Sequence, residues 1–230
     1  MDIIRDSLDL IGNTPLLLVK NLDTGPCNLY LKLESFNLGG SIKDRPAKNM
    51  IIEAEKKGLL KKGGTIVEAT AGNTGIALAI MAVKRGYKVV IIVPDKMTIE
   101  KVYHLKALGA EVIVTRSDVV NGHPEYYLEI AKKIAKERKA FYINQFSNQA
   151  NIKSHIKDLG PEIYKQLNGK IHAFVAGVGT GGTISGIGKF LKSKNKKCEL
   201  ILADPKGSIL KDLIKTGKIN KNVGSWIVEG

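Results

Sequence analysis

Cysteine is scarce in this chain: Cys27 and Cys198 are the only two in 230 residues, and they stand far apart. That excludes a disulfide framework and a cysteine-rich zinc site, and it fits a reducing cytoplasm. His104, His123, His155 and His172 are scattered, with no metal-ligand spacing to each other or to the cysteines. No metal is expected, and each histidine reads as a surface or structural residue. Long apolar runs are missing too. The β-branched run at 88–93 is strand-sized and no other run approaches the length of a bilayer, so no membrane span is expected. The amino terminus, Met1-Asp2-Ile3-Ile4-Arg5-Asp6, carries acids and no apolar stretch, and does not read as a secretory signal.

Arginine is short despite a net charge of +14. Only Arg5, Arg45, Arg85, Arg116 and Arg138 occur, and lysine supplies the rest. Arginine is the better reader of phosphates and base edges, so the charge does not point to a nucleic-acid partner. The densest basic run, 189–197, has one aromatic, Phe190, and reads as a solvated helix end. No G-K-[ST] occurs, which excludes a Walker-type site. Ser41 has no His/Asp pairing by spacing, which argues against a hydrolase triad. The single tryptophan, Trp226, reads as packing.

What is present is a well-cored globular composition, 43% hydrophobic and 25% charged. From Thr65 onward, strand and helix patterns alternate. Strands are expected at 65–68, 88–93, 111–115, 140–143, 172–176 and 199–203. Helices are expected at 73–85, 98–108, 124–138, 151–166 and 181–192. This rhythm implies βαβ units and parallel sheets. The turn Gln145-Phe146-Ser147-Asn148 is expected to separate two α/β lobes, and Gly12-Asn13-Thr14-Pro15-Leu16, which precedes two strands, is assigned to the second.

Three motifs carry chemistry. In Gly39-Gly40-Ser41-Ile42-Lys43-Asp44-Arg45, a lysine sits in a glycine-rich turn where an extended segment gives way to a helix. Glycine leaves the backbone uncovered for close approach. An amine desolvated there loses its proton more easily and can form a Schiff base with an aldehyde. The plainer alternative is a solvated loop lysine. In Glu68-Ala69-Thr70-Ala71-Gly72-Asn73-Thr74-Gly75, a strand–glycine–helix turn points N–H groups at an anion such as a carboxylate, with Thr70, Asn73 and Thr74 as further donors. Its plainer alternative is an ordinary cap by Asn73 or Thr74. In Gly177-Val178-Gly179-Thr180-Gly181-Gly182-Thr183, four glycines and two threonines form a phosphate cradle ahead of a helix.

The third motif has a rival reading. Gly177, Gly179 and Gly182 satisfy G-x-G-x-x-G after a strand, and Asp204 ends the next strand, where a ribose-binding acid belongs. A nicotinamide enzyme therefore stays open by spacing, although it explains neither Lys43 nor the turn at 70–75. A phosphate cradle, a carboxylate cradle and a turn-borne lysine together suit pyridoxal phosphate acting on an amino acid.

The run Lys32-Leu33-Glu34, Asn37, Gly39-Gly40-Ser41-Ile42-Lys43-Asp44-Arg45, then Thr70 to Gly75, Asn144-Gln145-Phe146 and Gly179 to Thr183, resembles the cysteine synthase / cystathionine β-synthase family. Ile11-Gly12-Asn13-Thr14-Pro15-Leu16 is similar as well. The resemblance implies a fold-type II pyridoxal-phosphate enzyme of the tryptophan synthase β-like kind. Its fold is α/β with two lobes, each an open, mostly parallel sheet flanked by helices. Residues 1–44 and 146–230 would form the larger, cofactor-phosphate lobe, and 45–145 a smaller lobe that closes on the substrate and excludes water.

The resemblance further implies roles. Lys43 would carry the cofactor and move the substrate Cα proton. The β-substituent would leave to give an aminoacrylate, and a thiol or sulfide acceptor would add. Asn73 would hydrogen-bond the ring oxygen. Gly179, Thr180, Gly181, Gly182 and Thr183 would hold the phosphate. Thr70, Ala71, Gly72 and Thr74, with Gln145, would bind the substrate carboxylate. β-Replacement on serine- or cysteine-type amino acids is the expected reaction. The alternatives are a β-elimination lyase releasing hydrogen sulfide from cysteine, and a non-catalytic fragment or ligand-binding member. A cytoplasmic homodimer is implied.

Three departures stand out. Ala71 occupies a position where the family usually has serine, removing one donor. Leu38 stands where proline is common. The chain stops at Val228-Glu229-Gly230, inside a motif that continues in the family; roughly the last quarter of a typical member lies beyond it, with the group that faces the pyridine nitrogen. Ala203-Asp204-Pro205-Lys206-Gly207-Ser208-Ile209-Leu210 is more similar to the cystathionine β-synthase branch, and gives Asp204 a second explanation.

Overall fold

Val89, Ile91 and Val93 face one hydrophobic cluster, while Val90 and Ile92 face another. A strand apolar on both faces belongs in the middle of a covered parallel sheet. In the computed structural model, which describes residues 3–219, this strand is β4 (Lys88–Pro94). It pairs in parallel with β3 (Thr65–Ala69) on one side and β5 (Glu111–Thr115) on the other. β6 (Phe141–Tyr142) pairs in parallel with the far side of β3, giving the order β5-β4-β3-β6. Helices α1 (Asp44–Lys56), α2 (Asn73–Arg85) and α3 (Ile99–Ala107) bury residues in the first cluster. α4 (Tyr127–Glu137) covers the second through Ala131 and Ala135. The strand order reverses direction at β3. The crevice beyond the carboxyl ends of β3 and β6 is therefore where an open α/β sheet places its ligand.

Two smaller sheets accompany this one. β1 (Leu16–Leu18) and β2 (Tyr30–Lys32) form an antiparallel pair. β7 (Ala173–Ala176) and β8 (Glu199–Leu202) pair in parallel, connected by α7 (Gly182–Lys194). The α/β class and the mostly parallel pairing agree with expectation, and helix 73–85 and strand 111–115 lie where the sequence puts them.

Two expectations need correction. The helix expected at 151–166 is two helices, α5 (Gln149–Lys157) and α6 (Leu159–Gln166), broken at Asp158 with φ −120° and ψ −77°. Pro161 has no N–H to donate back to Lys157, so a continuous helix would lack a bond there. The Asp158 carboxylate instead accepts from Arg45 Nη1 at 2.9 Å. The helix expected from Pro124 starts only at Tyr127, after a turn closed by Tyr126 N–H donating to the His123 carbonyl. The glycine turn 12–16 packs on α6: the N–H groups of Asn13 and Thr14 donate to the Glu162 carboxylate at 2.9 and 3.0 Å. Trp226 and the final Val228-Glu229-Gly230 lie outside the described residues.

Candidate active site

Lys43 immediately precedes α1, on a turn that Gly40 permits with φ +75°. Its backbone N–H donates to Ser41 Oγ at 3.2 Å. Burial pushes the amine below the usual lysine range. The solvated-loop alternative does not describe this residue. The next two residues anchor it. Asp44 accepts the Gly39 N–H at 2.5 Å. Arg45 is fully buried and bonds Glu34, Asp158, Glu162 and Thr14 at 2.7 to 3.2 Å. Burial lowers the Arg45 value, but Glu34 and Glu162 outweigh it and raise it overall. The ion cluster holds the start of α1 rigidly against α6 and the 34–37 turn.

β3 delivers the second motif. Thr70 N–H donates to the Ile92 carbonyl at 3.0 Å, and the chain then turns into α2. Gly72 is the cap, and no side chain bonds the helix N-terminus. The ordinary cap by Asn73 or Thr74 is therefore not formed, and the first N–H groups of α2 have no capping side chain. Thr70 Oγ1 accepts from Gly72 N–H at 3.2 Å, which leaves its hydroxyl proton free to donate. Thr74 Oγ1 donates instead to Gln145 Oε1 at 2.8 Å. With its oxygen engaged, Gln145 presents its NH2 as donor. Ala71, Gly72 and Asn73 are half-buried at the mouth of the turn.

The third motif has the same design. α7 begins at Gly182 after Gly181, φ +81°, again with no side-chain cap. A Cβ built at Gly179 or Gly181 would meet nothing within 4 Å, so open space lies over the loop. Thr180 Oγ1 accepts from Gly182 N–H at 3.3 Å and from Asn151 Nδ2 at 2.9 Å, again freeing a hydroxyl proton. Thr183 Oγ1 lies 3.5 Å from His155 Nε2. Uncapped N–H groups, hydroxyl donors and open space fit a phosphate, and a half-buried amine whose proton is loosened fits an aldehyde. By these criteria the residues suit pyridoxal phosphate.

Asn151 of α5 ties the two cradles together. Its Nδ2 also donates to the Gln145 carbonyl at 3.0 Å. Sequence reasoning missed Asn151, whose only signal is its place six residues after Gln145. It also read His155 as a bland histidine. His155 is buried, and burial holds it down at about 4, so a neutral imidazole stands beside Thr183. Asp204 Oδ2 accepts the Lys211 N–H at 3.0 Å, and so begins the final described helix.

Parallel strands feeding two helix N-termini that lack a side-chain cap, in a chain with a half-buried lysine on a glycine turn, place this protein in the α/β class with two sites suited to anions. Residues 8–230 match the family described as pyridoxal-phosphate dependent enzyme, and the chain belongs to it. The dinucleotide reading of the glycine loop is thereby set aside. The chain is 45% identical to cystathionine beta-synthase of Apis mellifera, over 99% of this chain and 45% of that protein. It is 44% identical to cysteine synthase of Dictyostelium discoideum, over 96% of this chain and 59% of that protein. Among solved structures, a hydrogen sulfide-producing enzyme from Fusobacterium nucleatum superposes with a TM-score of 0.86 and 42% identity, covering 96% of this chain and 70% of that one. The chain thus spans about half the length of the curated relatives it matches.

Proposed function

We propose that this chain carries the catalytic centre of a pyridoxal-phosphate enzyme that performs β-replacement on serine- or cysteine-type amino acids, with a thiol or sulfide as acceptor. The observation that carries the reading is Asn151, whose single amide group bonds both Gln145 of one cradle and Thr180 of the other. When bound, the cofactor supplies an aldehyde for Lys43 and a ring that accepts electrons from the substrate Cα.

The residues of the chain do the rest. Gly179 to Thr183 hold the phosphate through N–H groups and the hydroxyls of Thr180 and Thr183. Asn73, at the first turn of α2, orients the ring through its oxygen. Thr70, Ala71, Gly72, Thr74 and Gln145 hold the substrate carboxylate, which fixes the Cα–H bond relative to Lys43. The Lys43 amine, whose proton burial has loosened, takes the Cα proton and later returns it. Loss of the β-substituent lets a thiol or sulfide add at Cβ. Residues 45–145 act as the smaller lobe and close over the bound amino acid. The protein works in the cytoplasm as a homodimer.

The test is absorbance on adding pyridoxal phosphate, followed by O-acetylserine, serine and cysteine in turn. A visible band that requires Lys43 and shifts with one donor supports the reading; a band that no amino acid perturbs overturns it. Elimination is the second reading, favoured by the 42% identity to the hydrogen sulfide-producing enzyme. Sulfide released from cysteine without an added acceptor would select it.

A further inference from the structure

Glu68 is the one acid of β3, fully buried, and it opens the second motif without being one of its proposed anion donors. Its two oxygens grip both sides of the crevice. Oε1 accepts the Ala69 N–H at 3.0 Å, at the start of the turn that becomes Thr70–Gly75. Oε2 accepts the Gln145 N–H at 3.1 Å, across the junction where β3 and β6 diverge. Gln145 is therefore held at three points: its N–H by Glu68, its carbonyl by Asn151 and its side-chain oxygen by Thr74. The Glu68 contact ties the Gln145 backbone to the strand bearing the other arm, in addition to the Ile143 N–H bond to the Val67 carbonyl. The carboxyl is fully buried and bonds the backbone at the start of the turn and at Gln145, so a charge on it is poorly screened from the turn that would receive the substrate carboxylate.

We propose that Glu68 is a positioning residue that locks the two arms of the carboxylate cradle in register and, by its charge state, sets how strongly that cradle takes an anion. The proposal rests on reading the Thr70–Gly75 turn as a carboxylate site. Burial pushes the Glu68 carboxyl up to about 8, against the opposing pull of the N–H groups of Gln145, Ala69 and Asn144. Its neighbours do not supply a competing charge. Tyr127 of α4 and Tyr142 of β6 are both raised above the usual phenol range, by burial first, so both stay neutral. Ile91 of β4 is its register partner and carries no charge. Below about 8 the acid is neutral and an incoming carboxylate meets no buried anion. Above it, Glu68 ionises and repels the ligand. Linkage requires the reverse effect as well: a bound carboxylate raises the value of Glu68 further.

The experiment uses the full chain, with propionate as a probe that has no amine to titrate. Calorimetric affinity is read at about pH 6.5 and about pH 9.5, and amide hydrogen exchange at Gln145 is read without ligand. For the unaltered chain, affinity falls by about tenfold or more between the two conditions. In Glu68→Gln, which keeps the length and one acceptor, the affinity is nearly flat with pH when both chains also carry Lys43→Met, so that the Lys43 amine does not titrate in the same interval. In Glu68→Ala, Gln145 exchanges at least about tenfold faster and propionate binds poorly at both conditions. In the Lys43→Met background, a Glu68→Gln variant that keeps the alkaline loss overturns the charge role. A Glu68→Ala variant with unchanged Gln145 exchange overturns the positioning role. If Glu68→Ala does not fold, Gln145 exchange in Glu68→Gln decides instead, since one of its two acceptors becomes a donor. Absence of propionate binding in every variant would remove the carboxylate reading itself, separately from the grip on Gln145, which the exchange measurement reads alone.

Discussion

Asn151 Nδ2 stands 2.9 Å from Thr180 Oγ1, so a residue of α5 holds the glycine loop ahead of α7. Gly182 packs on the same side chain: a Cβ there would lie 2.2 Å from Asn151 Oδ1. Removing the amide in Asn151→Ala costs two hydrogen bonds, each worth about 1 kcal/mol net. The affinity for pyridoxal phosphate should fall by about tenfold or more, measured by absorbance titration. Gly182→Ala should weaken binding similarly by displacing Asn151. The double variant should then lose less than the sum, because the clashing side chain is gone.

Thr74 determines which end of the Gln145 amide faces the ligand. In Thr74→Val the Gln145 oxygen loses its donor in a buried site, at a cost of about 1–3 kcal/mol. The amide then turns or stays unpaired, and the NH2 no longer points reliably at a carboxylate. KM for the amino-acid donor should rise by about tenfold or more, while cofactor affinity is unchanged. Thr74→Ser, which keeps the hydroxyl, should restore most of the loss. Steady-state kinetics and cofactor titration on the two variants check this.

β3, β4 and β5 were legible because they are short β-branched runs each preceded by a glycine turn, and α2 because apolar residues run unbroken from Ile76 to Val83 ahead of its glycine stop at Gly86. The three site motifs were legible for the same local reason: each is a contiguous turn whose chemistry shows in its own residues. What holds the turns together was not. Asn151 bonds residues 6 and 29 positions away, and Arg45 bonds Glu162 117 positions away. Pairings of that range leave no periodic trace. The break at Asp158 was hidden as well, since apolar spacing runs through it and only Pro161 signals the fault. Glu68 lies in a strand that reads as buried, and only the contacts between β3 and the Gln145 arm show what its carboxyl bonds there.

The ion cluster around Arg45 should give the fold a steep acid limb. Burial pushes Glu162 up, but Arg45, Lys32 and the Asn13 N–H outweigh it and hold it at about 2. A carboxylate lowered on folding contributes stability that is complete above its ordinary 4.5 and is lost as pH falls toward 2. His155 adds to the loss earlier. Its folded value of about 4 lies below the ordinary 6.5, so the unfolded chain takes up that proton first as pH drops through this window. Arg45→Met should cost about 3–5 kcal/mol at neutral pH, by leaving buried carboxylates without their cation. It should also flatten the limb below 4.5 while leaving the His155 step. Urea unfolding across the acid range measures both.

Lys43 should work against the stability of the fold that holds it. Burial lowers the amine below its ordinary 10.5, so the unfolded chain binds a proton that the folded chain releases. A group lowered in this way makes stability rise with pH, up to the unfolded value. Lys43→Met keeps the apolar stem and removes the titrating amine. It should melt at a higher temperature than the unaltered chain at neutral pH, and its stability should not rise on going alkaline. The same variant should lose the visible band formed with pyridoxal phosphate. A lysine kept for packing or surface charge would give the opposite pairing, with stability falling on substitution and the cofactor band intact. Melting curves at neutral and alkaline pH, beside the absorbance spectrum, therefore separate an amine held ready for chemistry from one that supports the fold.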